Sequence, residues 1–182
     1  MTGSPRDTPG PVIEYRRLEA PVALPDDVLC AVTFGARSES VDDPRCVRVG
    51  LEPLAGGGLV EVWHASGRVH RGYDGLVRYT HDEHHLAAAI EIDESRYGGI
   101  AAAAPVAYAA MASFQAAVQF PQVLRVWNYF DAINEGDGDG ERYRQFCVGR
   151  TAGLGDALAK PYPAATAIGR RDGDRTLQVY RL

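Results

Sequence analysis

The stretch IAAAAPVAYAAMASFQAAVQF (residues 100–120), followed by Pro121 and then VLRVWNYF (residues 123–130), decides the fold. Val106, Ala109, Ala110, Ser113, Phe114, Ala117 and Val118 recur at helical spacing, which predicts a helix over 103–120. Pro105 suits its first turn, where a missing N–H costs little, and Pro121 stops it. Small residues on that face let a sheet approach closely. VLRVWNYF predicts a strand directly after the helix.

Working upstream, residues 28–35, 45–51 and 59–64 predict a meander of antiparallel strands. A polar loop at 38–44 and a turn at Gly56, Gly57 and Gly58 separate them. Residues 76–81 and 86–93 predict a strand pair joined at the polar tip Asp82-Glu83-His84-His85. Downstream, residues 137–140 form a polar loop and 141–146 a short helix, and Gly149, Gly153 and Gly155 interrupt the chain after it. Residues 163–170 and 175–182 predict a last hairpin across Asp172-Gly173-Asp174. Strands, helix, strand, helix and strands in that order indicate an α+β domain. Residues 1–20 read as a disordered or extended tail and 21–182 as a single domain.

Bulk properties set the function classes. The chain has 182 residues, with 46% hydrophobic and 24% charged, as ordinary globular domains do. No apolar run approaches the ~18 residues of a membrane span, and the start lacks a signal-peptide pattern. This predicts a soluble, cytoplasmic protein without a membrane partner. The net charge of −5, with no basic stripe, argues against nucleic acid as a partner. All but one of the 19 basic groups are arginines, the exception being Lys160. Cys30, Cys46 and Cys147 are far apart and form no C-x-x-C pair, so neither a disulfide framework nor a zinc site is expected.

Local motifs mostly favour structural readings. His81, Asp82, Glu83, His84 and His85 match no metal-binding spacing and read as a solvated tip; no metal is expected. The acidic loop from Asp137 fails the EF-hand pattern, having Arg142 where glycine is needed. Gly149, Gly153 and Gly155 match neither a phosphate loop nor a dinucleotide fingerprint. No nucleophile elbow occurs. Residues 125–150 differ, placing four arginines, two asparagines and two tyrosines in one short segment. They suit an aromatic-lined pocket wall that would hold a small carboxylate ligand; equally, the arginines could pair with Asp131, Glu135 and Glu141.

LRVWNYFDAIN (124–134), GERYRQFCVGR (140–150) and YPAATAIGRRDG (162–173), in this order, resemble the N-terminal half of the chorismatases. GLVRYTHDEHHLAAAIEID (75–93) resembles that family's strand pair more loosely. The resemblance implies a RidA/YjgF-like fold, a mostly antiparallel sheet covered by helices on one face. It implies chorismate hydrolysis with loss of pyruvate, toward 3-hydroxybenzoate or a dihydroxycyclohexadiene carboxylate, in secondary metabolism such as antibiotic biosynthesis. No cofactor is expected. The family's catalytic glutamate lies in a C-terminal half, and this sequence stops where that half would start; catalysis is expected to need a second domain or subunit. Asn128, Tyr129, Asn134, Arg142, Tyr143 and Arg150 carry over as substrate-binding or docking residues, expected in one pocket. A homo-oligomer, first of all a trimer, or a RidA-like partner domain is expected. The alternatives are a free-standing, non-catalytic binding or assembly module, or a small enimine deaminase using Arg150.

Overall fold

The computed structural model describes residues 10–18, 24–35, 43–51, 54, 57–155, 157 and 162–182. Most of the expected loop at 38–44, and Gly56 of the expected turn, lie outside the described residues. The strands are β1 (Val12–Leu18), β2 (Val28–Phe34), β3 (Cys46–Val49), β4 (Gly58–His64), β5 (His70–Asp74), β6 (Val77–His81), β7 (Leu86–Asp93), β8 (Arg125–Asp131), β9 (Ala164–Arg170) and β10 (Thr176–Arg181). The helices are α1 (Ile100–Ala117) and α2 (Arg142–Leu154). One sheet has the order β1-β4-β2-β3 and the other β5-β6-β7-β10-β8-β9. The class is α+β.

Strand alternation makes the larger sheet the shared wall of two cores. Ala88, Ile90 and Ile92 of β7, Leu177 and Val179 of β10, and Val126 and Phe130 of β8 pack with α1 and with Phe146 of α2. Their neighbours Ala87, Ala89, Tyr129 and Tyr180 pack with Leu29, Val32, Val47 and Trp63 of the smaller sheet. Helices therefore cover one face of the larger sheet and a second sheet covers the other.

Two strand pairings differ from expectation. β2 and β3 are parallel, and β4 lies antiparallel on the other side of β2, so there is no simple meander. Residues 35–45 separate the two strands, most of them outside the described residues. β9 and β10 do not form a hairpin. β10 sits between β7 and β8, antiparallel to both, while β9 takes the outer side of β8 in parallel. The connection crosses the end of β8: the Ala132 N–H donates to the Arg170 carbonyl at 3.0 Å, and the Gly173 N–H donates to Asp131 Oδ1 at 3.2 Å. Arg170 braces this crossing, donating to Asp172 Oδ2 at 2.7 Å and to the Asp174 carbonyl at 3.1 Å.

The predicted tail contains β1, whose register runs along all of β4 from Val12 opposite His64. β5 has no counterpart among the expected strands; it pairs with β6 and is mostly exposed, so it lacks an apolar stripe. β6 and β7 form the expected antiparallel pair around residues 82–85.

α1 starts at Ile100, so Pro105 lies inside the helix rather than in its first turn. Its buried stripe is Ile100, Ala103, Ala104, Ala107, Tyr108, Met111 and Phe114. Of the expected face only Phe114 is fully buried, Ala110 is half-buried, and Ala109 is exposed. An alanine-rich helix is apolar all round, so its large residues choose the face. By length and composition α1 could cross a membrane, contrary to the expectation from apolar runs alone, but its buried stripe packs on the sheet and α2.

α2 runs through Gly149 and Gly153, which do not interrupt it. A Cβ on Gly149 would lie 2.8 Å from Pro105 Cδ and 2.9 Å from the Ala104 Cβ; one on Gly153 would lie 2.9 Å from both Pro105 Cα and Tyr108 Cβ. These glycines let α2 cross against α1 at Ala104, Pro105 and Tyr108. Their spacing is that of a helix-contact motif, not a phosphate loop.

Candidate functional site

β8 sends Asn128 toward the helices and Tyr129 toward the smaller sheet, because neighbours on a strand face opposite ways. Asn128 is fully buried, and its Oδ1 accepts from the Tyr108 hydroxyl at 2.5 Å. Its Nδ2 donates to the Thr166 carbonyl of β9 at 2.9 Å. The Arg150 guanidinium lies over the Tyr108 ring, 5.6 Å from its centroid. Burial pushes the Tyr108 hydroxyl up to about 12, against the opposing pull of the Arg150 charge and the Asn128 bond. Tyr143, 43% exposed, stands two turns before Arg150 on the same side of α2. A hydrogen bond with Cys147 raises its hydroxyl pKa, and the Arg150 charge opposes that. Asn128 and Arg150 thus meet at Tyr108, which in the sequence is only a break in an apolar run, and Tyr143 lies on the Arg150 side of α2.

The other expected pocket residues go elsewhere. Arg142 Nη2 donates to both Glu94 carboxylate oxygens, at 2.9 and 2.8 Å, and its Nε donates to the Asp131 carbonyl at 3.2 Å. Glu94 is completely buried in the 3-10 turn after β7, so this pair clamps the start of α2 to the sheet. Tyr129 stacks on Tyr180 between the sheets, with centroids 5.9 Å apart. Asn134 is exposed and lines a cleft of about 280 Å³ with Ile133, Gly169 and Arg171. Ala132, in the same loop, has φ +48°, a strained value for a non-glycine residue. The six residues therefore occupy four surroundings, not one pocket. Glu94 was missed because its partner is 48 positions away.

Arginine pairing separates Arg150 from its neighbours. Arg142 pairs with Glu94 and Arg144 with Asp139 and Glu141. Arg125 donates to Thr166 Oγ1 at 2.8 Å and lies over Trp127. Among the described residues, Arg150 has no hydrogen bond and no acidic partner, only the face of Tyr108.

The 81–85 tip is not the solvated tip expected: Asp82 and His85 are buried, and it has a structural role. Asp82 accepts from the Ser66 N–H at 2.8 Å, the Ser66 hydroxyl at 3.0 Å, and the His84 and His85 N–H groups at 2.7 Å each. Among the described residues no three His, Cys, Asp or Glu side chains are placed to hold a metal ion. Burial raises the Asp82 pKa, but these bonds outweigh it and hold the carboxyl at about 2. With an unfolded value of ~3.9, the stabilisation is complete above pH ~4 and is lost as pH falls toward 2. Asp82→Asn is therefore expected to lose about 2 kcal/mol at pH 7. Urea unfolding should show that gap closing by pH ~2.

Among groups whose pKa is displaced, every described carboxyl moves down: Glu14, Asp43, Asp82, Asp93 and Glu135. An acid that protonates an enol ether needs the opposite shift. None of these five displaced carboxyls moves in that direction, and beside them stand Arg150, without an acidic partner among the described residues, and the hydrogen-bonded Tyr108.

Comparison with known proteins gives this arrangement its family. A family profile described as chorismatase FkbO/Hyg5-like, N-terminal, matches residues 61–182. A chorismatase of Streptomyces hygroscopicus is 35% identical over 121 residues, covering 65% of this chain and 35% of the relative. A 3-hydroxybenzoate synthase of the same organism is 30% identical over 125 residues, covering 67% of this chain and 35% of that protein. A crystal structure of a chorismatase superimposes with a TM-score of 0.76 at 28% identity, over 94% of this chain and 54% of that one. The chain thus spans about a third of the length of these curated relatives. Because that profile matches residues 61–182, well over half of this chain, the chain belongs to the FkbO/Hyg5-like chorismatase family, in its N-terminal domain.

Proposed function

We propose that this chain contributes the substrate-binding wall of a chorismatase-type enzyme, and that pyruvate loss from chorismate requires a general acid from a C-terminal half or partner subunit. The carrying observation is Arg150: it is stacked on Tyr108, beside Asn128, without an acidic partner among the described residues. Its guanidinium fork suits a carboxylate of chorismate, with Tyr143 at the outer end and Asn134 on a separate rim. Tyr129 and Arg142 act through the frame, the first between the sheets and the second through Glu94. The setting is cytoplasmic secondary metabolism of the 3-hydroxybenzoate type, in a homo-oligomer, first of all a trimer.

A binding or assembly module of the same fold is the second reading, favoured by the downward shift of every displaced carboxyl. The two separate in one experiment. Pyruvate release from chorismate is measured for this chain alone and with the C-terminal half of a chorismatase. Release only in the mixture supports the enzyme reading; chorismate binding without release in either sample supports the module.

Arg150→Ala is expected to weaken chorismate binding about 10–100-fold, the loss of one charge-assisted contact of ~1.5–3 kcal/mol. Its thermal midpoint should stay within a few degrees of the parent. Unchanged binding, or a variant that only unfolds, would overturn the assignment.

A further inference from the structure

We infer that Asn128 is a positioning residue: it fixes the Arg150 guanidinium for an anionic ligand by way of the Tyr108 ring, and does not touch the ligand itself. The inference rests on the reading of Arg150 as the carboxylate contact. Thr166 of β9, Asn128 of β8, Tyr108 of α1 and Arg150 of α2 are tied in series. Asn128 is 1% exposed and the amide has both ends engaged, so it is closed to a ligand. The Thr166 carbonyl can only accept, so it takes the Asn128 Nδ2–H, and Oδ1 is the end left for Tyr108. An amide oxygen also only accepts, so the Tyr108 hydroxyl must donate.

That sense of donation bears on Arg150. A phenol that donates its proton to an oxygen has a more electron-rich ring, and a guanidinium is held by the negative face of such a ring. Burial raises the Tyr108 hydroxyl to about 12, so it keeps its proton near neutral pH and the bond does not reverse. The ring is also fixed in tilt, because Phe146 meets it edge to face with centroids 6.1 Å apart. Holding an arginine by a ring differs from holding it by a carboxylate, since an aromatic face occupies none of the guanidinium N–H donors. Arg142 commits its donors to Glu94 and the Asp131 carbonyl. Arg150, with no hydrogen bond among the described residues, keeps its whole fork for a ligand while the ring sets its place.

The test compares the whole chain with Tyr108→Phe, which keeps the ring and removes its bond to Asn128. In ¹⁵N spectra the Arg150 Nε–H resonance of the parent is expected upfield, in the ring current of Tyr108. Tyr108→Phe should move it toward exposed arginines such as Arg96. Chorismate binding should weaken about 3–10-fold in Tyr108→Phe, and that penalty should vanish when Arg150→Ala is already present. Adding Asn128→Leu to Tyr108→Phe should change neither readout further. A penalty that persists beside Arg150→Ala, parent-like binding by Tyr108→Phe where Arg150→Ala loses it, or an Arg150 resonance left in place would overturn the inference. A further loss of binding with Asn128→Leu would mean that Asn128 meets the ligand directly, and would equally sink it. If Arg150→Ala binds chorismate as the parent does, the chorismate reading fails by itself, and the resonance alone decides the role of Asn128. Should Tyr108→Phe not fold, the double variant, which leaves no amide unpaired beside the ring, is compared with the parent in its place.

Discussion

Phe114→Ala is expected to destabilise the protein by about 3–5 kcal/mol, the cost of emptying a packed aromatic site. Phe114 is 3% exposed and closes the lower end of the core beneath α1. Its ring is 5.1 Å from the Tyr79 ring on one side and beneath the Arg181 guanidinium on the other. Neither neighbour can collapse into the gap cheaply: Tyr79 belongs to a paired strand, and Arg181 is held to Gln115. At ~2–4 °C per kcal/mol for a chain of this size, the thermal midpoint should fall by about 6–20 °C. A midpoint within a few degrees of the parent would show that α1 does not seat Phe114 on the sheet.

Glu94→Ala is expected to cost about 3–5 kcal/mol, because it leaves a mostly buried arginine without its counter-charge. The Arg142 side chain is 11% exposed, and its remaining acidic neighbour, Glu135, is 3.7 Å away and largely in solvent. Coulomb attraction to an exposed group recovers little. The pair itself is not a large net source of stability, since desolvating two charges offsets most of their attraction. The double variant Glu94→Leu, Arg142→Met should therefore recover most of the loss. Urea unfolding of the single and double variants checks both statements. A Glu94→Ala loss below ~1 kcal/mol would mean that water or Glu135 already satisfies Arg142.

Arg142 shows how far the sequence alone reaches. Its motif is legible, and so is its helix, yet its role depends on Glu94, far upstream in the chain. Family motifs single out 125–150 as the segment that matters, and the structure brings Asn128 and Arg150 from it together at Tyr108. The organising residue, Tyr108, lies in another element, where its one hydroxyl stands among alanines. Nothing in a local window shows that this hydroxyl meets an asparagine in the next element, 20 positions on.

What the sequence determined by itself is local and periodic. The strands β7, β8 and β10, the helix expected over 103–120, the turn between β6 and β7 and the α+β class come from patterns spanning a few residues. What only the tertiary structure decided is pairing and direction. The parallel register of β8 with β9, the insertion of β10 between β7 and β8, the face of α1 that is buried and the glycine crossing of α2 depend on contacts between distant segments. The same holds for the arginines. A guanidinium is chemically the same at 142, 150 and 181, and the fold alone gives one a buried carboxylate, one an aromatic face, and one a glutamine side chain.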